Sequence, residues 1–285
     1  AKTISIQDIA KKCINSDYRI GFTATLPTEK IDLWNIFGFL GQKIYEIGSG
    51  ELIDKGILSD ITIANLILKY PKDYIQKNVI DLKDNEGRKI SLDYDKEIDL
   101  INNNSDRNKI LKWIFNNIKD KQNTLILVRL IDHLKTIKEY LEQNIDKKYK
   151  IYIIYGNIDA EEREKIRKYV NVNENCIILG TYATLSTGVN IPKLHNIVFG
   201  SSYKSKIKIL QSLGRGLRLH DTKEKLILWD IVDDMKYETI YKKGINKGKK
   251  KIVKNYLFEH FELRLKYYRE QKYKYISKEF NLNIL

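Results

Sequence analysis

The chain has 285 residues, 42% of them hydrophobic and 31% charged, and a formal net charge of +14. That is enough apolar material for one or two sizeable cores, with no apolar run near the length of a membrane span and no signal-peptide pattern at the start, so a soluble, cytoplasmic chain is expected. Two distant cysteines, Cys13 and Cys176, and four scattered histidines make neither a disulfide framework nor a zinc site, and no metal is expected on the chain's own side chains.

In chain order, Thr23-Ala24-Thr25-Leu26-Pro27 follows the apolar Ile20-Gly21-Phe22, and residues 31–40 read as a helix and turn bearing an apolar patch with Trp34, Phe37 and Phe39. Residues 44–47 and 51–58 lead into a crossing segment, and the polar stretch 81–104, holding Asp84-Asn85-Glu86-Gly87, reads as loop or hairpin. Five short apolar runs, at 125–128, 151–155, 176–179, 196–199 and 226–229, are of the kind that fill a parallel sheet buried on both faces. Helices are predicted between them at 131–144, 160–170 and 206–219, the second with Asp159 as N-cap and Glu162 as the capping-box acid. Strand alternating with helix in this way is a doubly wound α/β domain.

Residues 211–218 read Gln-Ser-Leu-Gly-Arg-Gly-Leu-Arg. On a helix Arg215 and Arg218 share a face, with Gln211 one turn earlier, and only guanidinium offers a rigid fork of donors that never loses its charge. Gly214 and Gly216 would each cost roughly 1 kcal/mol in an exposed helix interior, so close approach of another backbone or a ligand explains them better. The alternative is a surface helix with solvated arginines.

The positive charge is unevenly spread. Residues 236–285 hold 14 Lys and Arg against 5 Glu and no Asp, which is +9 of the +14. A codon bias toward lysine would act everywhere and would not strip acids from one segment, so a polyanionic partner is expected. Seven tyrosines lie in this tail, among them Tyr267, Tyr268, Tyr273 and Tyr275, interleaved with Arg264, Lys266, Arg269, Lys272 and Lys274. Cations neutralise phosphates and aromatic faces stack on bases, while other tyrosines would pack the tail onto the domain. The lysines of 242–254, including Lys242, Lys243, Lys249, Lys250 and Lys251, are the expected nucleic-acid contacts.

Four segments in order resemble the second half of superfamily 2 helicases. Thr23 to Pro27 resembles the Ser/Thr-Ala-Thr motif, residues 123–130 motif IV, residues 181–192 (Thr-Tyr-Ala-Thr-Leu-Ser-Thr-Gly-Val-Asn-Ile-Pro) motif V, and residues 211–218 the arginine-finger helix. With Leu68-Lys69-Tyr70-Pro71, residues 156–163, Tyr203-Lys204-Ser205-Lys206-Ile207 and residues 228–234, the resemblance narrows to the UvsW-type recombination and repair helicases of T-even phages and covers nearly the whole chain. It implies a RecA-like doubly wound parallel sheet, the second helicase domain, at 106–235. Residues 1–58 would then be the C-terminal part of a first RecA-like domain, 59–105 an interdomain crossing and loop, and 236–285 a basic, tyrosine-rich helical tail.

The same resemblance implies an ATP-dependent DNA helicase and branch-migration enzyme acting on forks, Holliday junctions and RNA–DNA loops, with ATP and Mg²⁺ as cofactors. Arg215, Arg218 and Gln211 would act on the γ-phosphate. Thr23, Thr25, Gly188 and Asn190 would couple ATP state to DNA contact, although Asn190 stands where many relatives have Asp. Thr181, Thr184 and Arg163 would touch nucleic acid. For Thr184 the alternative is a hydroxyl satisfying its own helix start, and for Arg163 an exposed pairing with Asp159. The sequence has no Gly-x-x-x-x-Gly-Lys-Ser/Thr loop and no Asp-Glu-x-His or Asp-Glu-x-Asp box. It is therefore read as a C-terminal portion, inactive alone, whose partner is an N-terminal RecA-like domain holding the metal ligands. An RNA helicase, a restriction-enzyme motor subunit or a non-catalytic nucleic-acid-binding module are the alternatives, and the paired arginines favour the motor.

Overall fold

In the computed structural model, the described residues are 4–23, 26–27, 29–83, 87–88, 90–156, 158–185, 191–241 and 243–284. The strands are β1 (Asp60–Lys69), β2 (Thr124–Val128), β3 (Lys150–Ile154), β4 (Cys176–Thr181), β5 (Asn196–Phe199), β6 (Lys225–Asp234), β7 (Tyr237–Ile240), β8 (Lys250–Val253) and β9 (Lys274–Asn281). The helices are α1 (Ile4–Lys12), α2 (Lys30–Leu40), α3 (Ser49–Asp54), α4 (Lys72–Ile75), α5 (Tyr94–Asn102), α6 (Ser105–Asn117), α7 (Ile131–Asn144), α8 (Ala160–Val172), α9 (Tyr182–Leu185), α10 (Lys206–Gly216) and α11 (Tyr256–Glu270). None of the described helices is long and apolar enough to cross a membrane.

Seven strands form one parallel sheet in the order β3-β4-β2-β5-β6-β1-β9. The central strands are covered on both faces, so their alternate residues enter different cores. Leu125 and Leu127 of β2 join one cluster with Ile166 and Val170 of α8 and Ile209 and Leu213 of α10. Ile126 and Val128 join the other, with Ile98 and Ile101 of α5, Ile110 and Ile114 of α6 and Leu134 and Ile137 of α7. The five predicted runs are β2 to β6, and Asp159 caps α8 by accepting from the Glu162 amide at 2.8 Å.

Three segments differ from expectation. Residues 60–69, read as part of a crossing, form β1, which pairs with β6 along ten residues and sends Ile61 and Ile63 to one core and Leu66 and Leu68 to the other. Within the stretch read as loop or hairpin, residues 94–102 form α5, because Asp93 caps the Lys96 amide and Ile98 and Ile101 face the core. The tail is not simply helical. It makes the antiparallel hairpin of β7 and β8, the helix α11, and then β9, which adds a strand beside β1 at the sheet edge.

Two acids of β6 are buried on opposite faces, and each is matched by an arginine. Asp233 receives Arg107 Nε at 2.7 Å and Nη2 at 2.9 Å, plus the Tyr70 hydroxyl at 2.9 Å. Asp230 receives Arg264 Nε and Nη2, both at 2.8 Å, and the Tyr268 hydroxyl at 2.8 Å. Arg264, in the basic run expected to meet a polyanion, and Tyr268, one of the tail tyrosines for which packing is the alternative, are thus core residues: a carboxylate on a central strand needs charge and hydrogen bonds to be tolerated there. Glu97 of α5 similarly ties α11 down, accepting from the Tyr256 and Leu257 amides at 2.8 Å at that helix's start. Its burial pushes its carboxyl up, against those hydrogen bonds.

Candidate functional site

The helix of the Gln-Ser-Leu-Gly-Arg-Gly-Leu-Arg run is α10, and its inner face buries Ile209, Ser212, Leu213 and Gly216. Gly216 packs closely on the sheet, and any larger residue would push side-chain ends aside. A Cβ there would stand 2.8 Å from Ile197 Cδ1 of β5 and from both δ-carbons of Leu226 of β6. Gly214, on the exposed side, has open space around it, so nothing in the chain itself requires a glycine there. Gln211 and Arg215 are half-buried and Arg218 is exposed. The helix ends at Gly216, two residues before Arg218, so the two arginines sit on a helix end and the turn after it, not on one helix face. They remain near one another: burial first, and then the charge of Arg218, lowers the Arg215 pKa.

The turn after α10 is anchored from two directions. Lys223 is buried, and its ammonium donates to the carbonyls of Gly216 at 2.7 Å, of Pro192 at 3.3 Å, and of Arg218. Ser59, just before β1, donates its amide to the Leu217 carbonyl at 2.8 Å and its hydroxyl to the Arg218 carbonyl at 3.1 Å. Burial pushes the Lys223 pKa down to about 8, so the group still carries its proton at neutral pH. Neither residue was reached from the sequence, where Lys223 is one of two lysines in Thr222-Lys223-Glu224-Lys225 and has no distinguishing spacing.

Thr181 ends β4 and Thr184 lies in α9. Both are buried, their hydroxyls are 2.8 Å apart, and Thr181 Oγ1 accepts from the Thr184 amide at 3.3 Å. The oxygen that meets the start of α9 is thus that of Thr181, and the Thr184 hydroxyl meets the Thr181 hydroxyl. Beside it, Tyr182 stacks on Tyr203 with centroids 4.7 Å apart and donates its hydroxyl to the Ser201 carbonyl at 2.9 Å. Arg264 also reaches Ser202 Oγ at 2.6 Å, so the loop after β5 is held from both sides just before α10 begins. Thr23 is exposed. Thr25, Gly188, Asn190 and Lys242 lie outside the described residues.

Arg163 is half-buried on α8 and donates from Nε to the Asp159 carbonyl at 3.3 Å, a backbone contact in place of the carboxylate pairing considered from the sequence. Lys243, Lys249, Lys250 and Lys251 are exposed on the β7–β8 hairpin. Its connecting turn uses Gly244 and Gly248 at φ of 81° and 83°, a left-handed backbone that favours glycine. Lys250 pairs with Glu238 at 3.1 Å and Lys251 lies 5.5 Å over the Tyr241 ring. These are surface contacts, weak enough for a polyanion to displace. Among the described residues no group of three His, Cys, Asp or Glu side chains could hold a metal ion.

Residues 106–220 match the family described as the helicase conserved C-terminal domain. The chain is 28% identical over 279 residues to the ATP-dependent DNA helicase uvsW of Enterobacteria phage T4, a match covering 98% of this chain and 52% of that protein. Helicase 22 of the Sulfolobus islandicus filamentous virus (isolate Iceland/Hveragerdi) is 26% identical over 222 residues, covering 75% of this chain and 37% of that one. The chain therefore spans about half or less of the length of these relatives. The crystal structure of T4 UvsW superposes with a TM-score of 0.60 over 79% of this chain and 42% of that chain. The ATP-dependent Type ISP restriction-modification enzyme LlaBIII bound to DNA shares the fold, with a TM-score of 0.54 at 15% identity, over 86% of this chain and 17% of that one. The chain thus has a RecA-like parallel sheet, matches the helicase conserved C-terminal domain over residues 106–220, and is similar over nearly its whole length to the T4 UvsW helicase.

Proposed function

We propose that this chain is the C-terminal portion of an ATP-dependent DNA helicase that unwinds or branch-migrates forked and junction DNA in recombination, repair and replication, with RNA–DNA loops among its substrates. The observation that carries the reading is the end of α10, where two neighbouring arginines are carried by a helix that buries Ile209, Leu213 and Gly216 against the sheet. Arg218 is exposed and, among the described residues, its guanidinium has no ion-pair partner, which suits a polyphosphate. When bound, ATP would supply the transferable phosphoryl group. Arg215 and Arg218 would stabilise the charge that develops on it, and Gln211 would orient the same site.

A first RecA-like domain, of which residues 1–58 would be the last part, would supply the phosphate loop and the carboxylates for Mg²⁺. The described residues of this chain include no cluster of side chains that fits the metal. Thr23, Thr25, Gly188 and Asn190 would transmit closure of the cleft, and the exposed lysines of the hairpin, with Arg163, would hold the DNA backbone.

The test is DNA-stimulated ATP hydrolysis and junction unwinding by the 285-residue chain, alone and joined to the first RecA-like domain. Activity only in the joined protein is expected. DNA binding without hydrolysis in both would replace the motor with a binding module.

A further inference from the structure

Three successive carbonyls follow the arginine of α10, and the structure fills all of them with donors from outside the helix. Gly216 O takes Lys223 Nζ, Leu217 O takes the Ser59 amide, and Arg218 O takes both Lys223 Nζ and Ser59 Oγ. The last carbonyls of a helix lack intrahelical donors and carry the negative end of its dipole, so a cation there is favourable. Solvent-exposed lysines commonly meet that need. Lys223 is instead only 7% exposed and has no carboxylate at ion-pair distance among the described residues, which makes its burial costly unless its donors do something water cannot. Its third acceptor says what. Pro192 O closes the 181–192 segment, so one ammonium joins that segment to the turn bearing Arg218. Three N–H donors meet three carbonyls, with none left over.

We propose that Lys223, supported by Ser59, is a positioning residue: it fixes Arg215 and Arg218 relative to the end of the 181–192 segment. The inference rests on the reading that these arginines act on ATP. Pro192 and the turn bearing Arg218 are thereby linked through one side chain, in addition to the packing of α10.

The experiment is steady-state ATP hydrolysis by the helicase containing this chain, with variants Lys223→Met, Lys223→Arg, Ser59→Ala and Arg215→Ala, each melted to establish that it is folded at the assay temperature. Displacing a catalytic group by about 1 Å costs on the order of 100-fold. Lys223→Met is therefore expected to lower kcat by roughly 10- to 100-fold with little change in KM for ATP, and Lys223→Arg, which keeps a charged donor, to recover much of the loss. Ser59→Ala, which removes one of the two donors to Arg218 O, is expected to fall between. Normal kcat in folded Lys223→Met, with Arg215→Ala inactive, overturns the proposal and leaves the ATP reading standing. Normal kcat in both removes the ATP reading and the proposal together. Should Lys223→Met unfold at the assay temperature, Ser59→Ala decides: reduced kcat at unchanged KM supports the inference, and wild-type kcat overturns it.

Discussion

Arg107 and Arg264 lie in the interior, each in a two-pronged hydrogen-bonded fork on an aspartate of β6, one on each face of the sheet. Arg215 and Arg218 lie at the end of α10, where Arg215 is half-buried and Arg218 faces solvent. The same side chain serves two ends. In the first pair the fork satisfies a carboxylate that the sheet has already buried. In the second pair the protein fixes the backbone on which the arginines are mounted, through Gly216, Lys223 and Ser59, and leaves at least the Arg218 head available to another anion.

The sharpest way to break this contrast is to remove one member of each pair and measure both stability and turnover. Arg215→Ala in the complete helicase is expected to lower ATP turnover by about 10³-fold or more, roughly 4 kcal/mol of transition-state stabilisation. Its urea midpoint should move by no more than about 0.5 kcal/mol equivalent. Turnover near wild type would end the assignment of this arginine to ATP.

Arg264→Met should show the opposite profile. It leaves the buried Asp230 with only the Tyr268 hydroxyl and removes a donor from Ser202 Oγ, and a loss of about 3–5 kcal/mol is expected in equilibrium urea unfolding. Combining it with Asp230→Leu removes the orphaned charge and should recover much of that loss. A double variant as unstable as the single one would show that the fork contributes more than the satisfaction of a buried carboxylate.

The hairpin lysines supply a third and milder comparison, because they are exposed cations held only by surface contacts. Changing Lys249, Lys250 and Lys251 together to Gln should lower the slope of log K against log salt for DNA binding by about 0.7–0.9 for each phosphate that is no longer neutralised. Unfolding free energy should stay within about 0.5 kcal/mol. An unchanged slope would move the DNA-binding surface away from this hairpin.

The central strands β2 to β6 and the helices α7 and α8 were legible in the sequence because a sheet covered on both faces demands short, continuous apolar runs, and the helices between them keep a 3.6-residue period. Two elements were less legible for physical reasons. β1 has the same kind of apolar run, but its neighbours β6 and β9 lie more than 150 residues away in the chain, so nothing local says that it is central. α5 is polar on most of its surface, and its core contacts at Ile98 and Ile101 are only one turn of pattern.

The sequence by itself determined the fold class, the order of the motifs and which side chains could carry charge, since these follow from periodicity, spacing and residue type. Tertiary structure alone decided what each charge is for. Arg264 and Arg269 look alike in the tail, but α11 lays Arg264 against Asp230, 34 residues earlier, while Arg269 sits near the Tyr275 ring at the surface. Lys223 and Lys225 are neighbours but one, and only the first meets the end of α10. Burial is a property of what the rest of the chain places around a residue, and the cost of removing a charge from water makes that surrounding decide its role.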